Sequence, residues 1–508
     1  MRQNFHKAIS PWLTSFTGLR RALLVSPLLC ASLAVFAPPS YGQADMENKV
    51  QLLTDALNRA QDQLGQAQLQ LQDLRRQIAD LREQVVSANQ SASASVEQQR
   101  LASQVEALKE NQELQASEIA THEQVKVESE SKYPVKVTGM VLLNGFVNTK
   151  GVDMPATPTI AVGGAGTTGA SVRQTVLGLD LLGPHLFGGN SHADVRADFF
   201  GSTGSSNGGA DYAAGLLRLR TAHAALAWDN TEAWFSLDRP IVSANEPVSL
   251  TAVAVPPLSW SGNLWTWNPQ VGITRDFGAP SAERFRMQGA LIDVQDPPYA
   301  ANASPATYPA STAEQSRWPG VEARLAFGSQ EDAGFRLGAG GYFAPHRTIY
   351  GGEFDSWAGT LDYRQPLPGR MRFSGNFYRG AALGGLGGGA YKDYGVRADL
   401  DRPGAFYVRS LDAVGGWAEL KERANERLEF NAALGIDSVP AGELRGYQAI
   451  AAPAYQNLDR TQTFTGNAIY SPSAWLLFSL EYRHLESSTL GAPAVASNII
   501  GVAAGYKF

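Results

Sequence analysis

The chain has 508 residues, 51 Gly, 27 Pro, a single Cys and a formal net charge of −6. Charged residues make up 18%, below the roughly 25% of ordinary soluble domains. This balance is neither basic enough for a nucleic-acid binder nor acidic enough for a disordered tail. One Cys excludes a disulfide framework and a multi-Cys metal site. No stretch after residue 36 approaches 18 uninterrupted apolar residues, which argues against a helical membrane protein.

In chain order, Arg2, Lys7, Arg20 and Arg21 precede an apolar run from Ala22 to Phe36, and Ser40-Tyr41-Gly42 follows as a cleavage site before Gln43. This layout predicts a secretory signal peptide over residues 1–42. A membrane anchor is the alternative, weakened by the short run. Lipidation at Cys30 is disfavoured by Leu29 before it, because lipidation signals demand a small residue there.

Residues 43–132 predict an α-helical coiled coil. Val50, Leu57, Leu64, Leu71, Ile78 and Val85 form one heptad series, and Met46, Leu53, Ala60, Ala67, Leu74, Leu81 and Ala88 form the other. Six proline-free heptads give a continuous apolar seam. Ser87 to Ser95 interrupt it, and Leu101, Val105 and Leu108 resume it more weakly. The expectation is a self-associating periplasmic stalk; a single solvated helix or helical hairpin is the alternative.

Past Pro134 the period changes to 2. In Ala193-Asp194-Val195-Arg196-Ala197-Asp198-Phe199 the alternate positions are charged and the others apolar or small, so in a strand the two sets face opposite ways. The pattern recurs around Val321 to Phe327, Leu428 to Leu434 and Leu476 to Tyr482. Strands are predicted at 135–149, 171–182, 190–201, 213–228, 231–239, 269–277, 284–294, 318–328, 333–343, 356–366, 370–380, 413–423, 427–437, 462–470, 474–485 and 497–508. Short turns alternate with long connections, and the even number is what an all-β transmembrane barrel requires. Adding 391–400 and 405–410 would make eighteen strands. A barrel of either size, over residues 133–508, encloses an aqueous channel. The final strand sets Ile500, Val502, Ala504, Tyr506 and Phe508 on one face. It resembles the C-terminal insertion signal of bacterial outer-membrane barrels, which implies the barrel-assembly machinery and outer-membrane lipid as partners.

The connection Pro240 to Asn268 carries Trp260, Trp265 and Trp267. A loop of this length is usually functional or disordered, and its position corresponds to the third external loop. It is expected either to fold inward as a constriction or to contact neighbours outside. Residues 134–508 hold 24 Arg and 5 Lys against 33 Asp plus Glu, so selectivity depends on where charges cluster. With apolar faces toward lipid, Arg173, Arg196, Arg218, Arg220, Arg286 and Arg324 project into the lumen, where guanidinium forks match small carboxylates or phosphates. The alternative is a wall lattice pairing them with Asp194, Asp198 and Glu322.

Tyr133-Pro134-Val135-Lys136-Val137-Thr138-Gly139, Leu217-Arg218-Leu219-Arg220, Gly415-Gly416-Trp417-Ala418-Glu419-Leu420 and Leu477-Phe478-Ser479-Leu480-Glu481-Tyr482-Arg483 carry a resemblance to trimeric outer-membrane porins of the DcaP-like type. The resemblance implies a homotrimer in which each chain forms its own barrel. It also implies uptake of small anionic solutes such as dicarboxylates, with no enzymatic activity and no cofactor. The external loops, Gly384 to Gly389 among them, show no such match.

Other motifs look like chemistry without its context. Gly204-Ser205-Ser206-Asn207-Gly208 fits a nucleophile elbow but lies in a Ser/Gly loop. Gly164-Ala165-Gly166-Thr167-Thr168-Gly169 fits a dinucleotide fingerprint, yet no helix follows it, and a flexible external loop is expected there. The seven His are scattered: His192 and His223 fall in predicted strands and His346 at a loop, and none shows metal-ligand spacing. Against the channel stands a structural protein linking membrane to cell wall through the coiled coil. A trimeric adhesin is disfavoured, because one chain here suffices for a whole barrel.

Overall fold

The computed structural model describes residues 133–201, 215–278, 283–297, 310–329, 334–348 and 351–508, together with Asp73, Arg76, Gln77, Ala79 and Asp80. Those five are helical and exposed, and Gln77 Nε2 donates to Asp73 Oδ2 at 3.0 Å, one turn away. The expected signal peptide, the rest of the expected stalk and the Gly204–Gly208 motif lie outside the described residues.

Alternating sequence builds the strands in order: β1 (Val135–Val152), β2 (Ala161–Ser171), β3 (Val176–Leu186), β4 (Gly189–Gly201), β5 (Leu216–Ala227), β6 (Thr231–Asp238), β7 (Asn268–Phe277), β8 (Arg284–Ile292), β9 (Gly320–Gly328), β10 (Arg336–Arg347), β11 (Glu353–Leu367), β12 (Met371–Ala381), β13 (Tyr394–Ala398), β14 (Phe406–Ser410), β15 (Asp412–Arg423), β16 (Leu428–Ser438), β17 (Gln448–Ala449), β18 (Leu458–Tyr470), β19 (Leu476–Thr489) and β20 (Val495–Lys507). Each barrel strand pairs antiparallel with its neighbours, and β1 closes the ring on β20 from Met140↔Lys507 to Asn148↔Ile499. The result is a closed 16-strand antiparallel barrel.

One barrel position is made by two strands. β1 pairs with β3 through its first half and with β2 through its second, so β2 and β3 form a single stave interrupted at Val172 to Thr175. The expected flexible loop at Gly164–Gly169 is therefore strand, paired with β1 through Gly169↔Phe146. Its Gly/Ala/Thr composition hides it, because strand propensity rests on bulky side chains and this segment has few. The eighteen-strand alternative fails for a different reason. Residues 391–400 and 405–410 contribute β13 and β14, which pair with each other and with β17 in a separate three-stranded sheet. His346, expected at a loop, lies within β10.

The exterior is apolar. Leu143, Val147, Phe235, Ile273, Leu325, Leu361, Phe464, Leu480 and Ile500 are all exposed on outward faces. Among the described residues no helix is long and apolar enough to cross a membrane. Closure is sealed where Gly139 N donates to Phe508 O at 3.0 Å and Phe508 N donates to Gly139 O at 3.1 Å. A Cβ at residue 139 would stand 2.6 Å from both Phe508 Cζ and the Val176 carbonyl oxygen, so only glycine fits this seam.

Candidate functional site: the lumen

The connection between β6 and β7, residues 239–267, runs along the inner wall. Its polar contacts follow the circumference. Glu322 of β9 accepts from Val242 N at 3.4 Å, and Asn245 Nδ2 donates to the carbonyls of Tyr363 and Gly375 at 3.0 Å each. Glu419 of β15 accepts from Val248 N at 2.6 Å. Glu481 of β19 accepts from the Ser249 and Thr251 hydroxyls at 2.5 and 2.7 Å, and Asn144 of β1 donates to Leu250 O at 2.8 Å. Gln174, in the β2–β3 interruption, donates to Thr251 O and accepts from Val253 N and Ala254 N. A segment reaching so many staves by their inward side chains must lie inside the barrel. Gly262 (φ +97°) lets it rest on the wall itself, where a Cβ would meet Gly416 O at 2.1 Å.

The three tryptophans of this segment join an aromatic series. Trp260 stacks on Tyr391 with centroids 3.8 Å apart, Trp265 meets Trp260 edge-on at 6.1 Å, and Trp267 meets Trp265 at 5.6 Å. Tyr391 continues the series to Tyr455 at 4.2 Å. The Gly384–Gly389 segment, expected among external loops, is buried against the inner segment. Thr266 Oγ1 donates to Gly385 O at 2.7 Å, and a Cβ at Gly387 would meet the Trp265 ring at 2.7 Å. Glycine richness here reflects close approach of two backbones.

Two charges hold this second segment. Lys392 is fully buried, and its ammonium donates to the carbonyls of Ala390, Tyr455 and Leu458 at 2.6, 3.1 and 2.5 Å. Burial drives it down to about 7. Asp393 accepts from Gly384 N at 2.6 Å; burial, reinforced by the Asp296 carboxylate, pushes it up to about 7.

The inner segment divides the lumen. Beneath it most inward side chains of β9 to β12, β15, β16 and β18 to β20 are buried, among them Arg324 at 2% exposure, while Arg196 on β4, Arg218 on β5 and Arg286 on β8 keep 32, 26 and 29%. The solvated passage therefore follows β3 to β8.

The arginines singled out in the sequence are mostly paired. Asp198 is fully buried and accepts from Arg218 Nε and Nη2 at 3.0 and 2.6 Å, with Arg220 Nε at 3.7 Å. Arg218 and Arg220 also lie over the Trp267 ring, 5.0 and 5.1 Å from its centroid. Arg196 pairs with Asp180 and, at 3.8 Å, with Asp194. Arg286 grips Asp276 through two hydrogen bonds of 2.8 Å, and Arg324 grips Asp362 at 2.8 and 2.7 Å. Arg173 lies in the β2–β3 interruption, where it donates to the carbonyls of Phe199 and Gly201 at 3.1 Å each. Glu322 pairs with the inner segment instead of with an arginine.

Sequence reading missed Asp180, Asp276 and Asp362 as partners, and Glu419 and Glu481 as anchors. All stand at inward positions of alternating strands, but only the cross-strand register says which arginine each meets.

On the wall from β7 to β11, Arg284, Arg286, Arg324, Arg336 and Arg364 face inward with Asp276, Glu322 and Asp362. Arg336 feels the charges of Arg364, Arg324 and Arg286 together with the opposing charge of Asp362. Taken formally, this wall carries two more positive than negative charges.

No protein-family model and no curated protein matches the sequence. Among solved structures, the outer membrane channel DcaP of Acinetobacter baumannii is 16% identical with a TM-score of 0.57, covering 75% of this chain and 99% of that one. The anion-selective porin from Comamonas acidovorans is 11% identical with a TM-score of 0.45, covering 74% and 100%. OmpT of Vibrio cholerae is 11% identical with a TM-score of 0.41, covering 75% and 99%. The chain shares the barrel fold of the first.

Proposed function

We propose that this chain is an outer-membrane porin: a passive diffusion channel for small hydrophilic solutes, biased toward anions such as dicarboxylates. The barrel supports a membrane location, because a closed ring leaves no unpaired edge and an apolar outer band suits lipid. The fold shared with an outer membrane channel supports it further. On this reading the chain is exported by its signal peptide and inserted by the barrel-assembly machinery through the strand ending at Tyr506 and Phe508. It assembles as a homotrimer with its stalk in the periplasm. It needs no cofactor and catalyses no reaction.

The observation that carries the anion bias is the arginine excess on the β7–β11 wall beside a passage that is itself lined by Arg196, Arg218 and Arg286. In a narrow aqueous path between low-dielectric walls, fixed charge acts on permeating ions over several ångströms. Acidic partners hold Arg196, Arg218 and Arg286 in place and leave part of each fork open to solute. Trp267 against Arg218 and Arg220 sets the inner segment as one side of the constriction.

The test is the zero-current potential of purified protein in a planar bilayer under a KCl gradient. Anion preference is expected, falling at least twofold in permeability ratio in Arg286→Gln combined with Arg218→Gln. Cation preference would overturn the arginine argument while leaving a channel. Absence of conductance from folded, heat-modifiable protein would overturn the channel reading.

A further inference from the structure

His192 of β4, His223 of β5 and Glu232 of β6 share the inward face near the short-turn end of the barrel, where Phe187-Gly188 leads from β3 into β4 and Trp228 to Asn230 join β5 to β6. The register sets His192 opposite Ala225 and Glu232 opposite Ala227. β4 and β6 are thus separated by the width of β5, about 10 Å of sheet at about 4.8 Å per strand. The two alanines leave the space above β5 open, and the longer side chains lean across it. His192 Nε2 comes to 3.5 Å from Glu232 Oε1, and His223 Nε2 to 3.7 Å from the same oxygen. The ligand atoms of all three lie within 4.8 Å of one another. The His223 ring is held between those of His192 and Trp234, at centroid distances of 5.9 and 6.0 Å.

We propose that His192, His223 and Glu232 form a binding site for a divalent transition-metal ion, with zinc as the reference case. Two imidazole nitrogens and a carboxylate suit zinc, copper or nickel, whereas calcium and magnesium want an all-oxygen shell. Bond lengths of about 2.0–2.2 Å around a tetrahedral zinc place neighbouring ligand atoms about 3.4 Å apart, so the observed separations need only small side-chain rotations. All three residues are partly exposed to the solvated passage. An ion can therefore enter and keep water at its remaining position. Once bound it adds positive charge to the channel wall.

The test uses the full chain without an affinity tag, folded in detergent and stripped with EDTA, then titrated with zinc in a calorimeter. One zinc per chain is expected, with affinity reduced at least tenfold in His192→Gln and in His223→Gln and no response to calcium. Cobalt should give the visible absorption of a low-coordinate nitrogen and oxygen site. Folding of each variant is checked by heat-modifiable migration, and Glu232→Gln, which preserves side-chain shape, replaces any that fails. Absence of zinc binding by folded wild type, binding undiminished in the variants, or a cobalt spectrum of the hydrated ion would each overturn the proposal. Equilibrium binding requires no conductance, so this result is independent of the channel reading.

Discussion

Trp260 and Tyr391 stack face to face at 3.8 Å although they come from different connections of the barrel. Both hold left-handed backbone, with φ of +59° and +69°, a conformation that costs a bulky side chain free energy. Burial offsets that cost, since each ring is 1% exposed, and Tyr391 adds a hydrogen bond to Thr159. The stack is the clasp between the inner segment and the glycine-rich segment that covers it.

Trp260→Ala should therefore loosen the inner packing while the barrel stays closed. Removing a buried aromatic side chain costs about 3–5 kcal/mol. The expected result is new protease cleavage within residues 239–267 and 382–393, with heat-modifiable migration retained. A double-mutant cycle with Tyr391→Ala should return a coupling of about 0.5–1.5 kcal/mol for the ring pair, measured by denaturant unfolding.

Arg324 and Asp362 are both buried and joined by two hydrogen bonds. Asp362→Asn leaves a guanidinium without its counter-charge and should destabilise the folded state by about 3–5 kcal/mol. Replacing both partners with apolar residues, as Arg324→Met with Asp362→Leu, should cost less than that single change. Urea midpoints in detergent compare the two.

At the closing seam, Gly139→Val places a Cβ against the Val176 carbonyl and the Phe508 ring. The fraction of chains that refold to the heat-modifiable form should fall by more than half. Gly341→Val is the control: it sits on an outward face whose nearest backbone atom is 3.9 Å away, and it should refold like the wild type.

Asp393 sets a pH dependence. Its carboxyl lies near 7 in the folded chain against 3.8 as the ordinary value, so between those limits the folded state binds more protons than the unfolded one. Stability therefore falls as pH rises from about 4 to about 7 and is flat, for this group, outside that window. Asp393→Asn keeps an oxygen for the Gly384 amide and cannot ionise. It should raise the unfolding midpoint at pH 8 and leave it nearly unchanged at pH 4.

The sequence by itself determined the barrel. Alternation over Ala193 to Phe199 or Leu476 to Tyr482 is a local property, since consecutive side chains of a strand face opposite ways, and turn lengths expose the order of the staves. It failed where the signal is not local in that sense. Gly164 to Gly169 form a strand through pairing with β1, without the side chains that advertise one, and Tyr394 to Ser410 carry strand-like residues that pair outside the ring. Tertiary structure alone decided the interior. Whether residues 239–267 turn inward, which aspartate meets Arg286 or Arg324, and how His192, His223 and Glu232 come together are fixed by cross-strand register and by a loop crossing the lumen. Those contacts join residues from nine to more than two hundred positions apart, and no spacing along the chain encodes them.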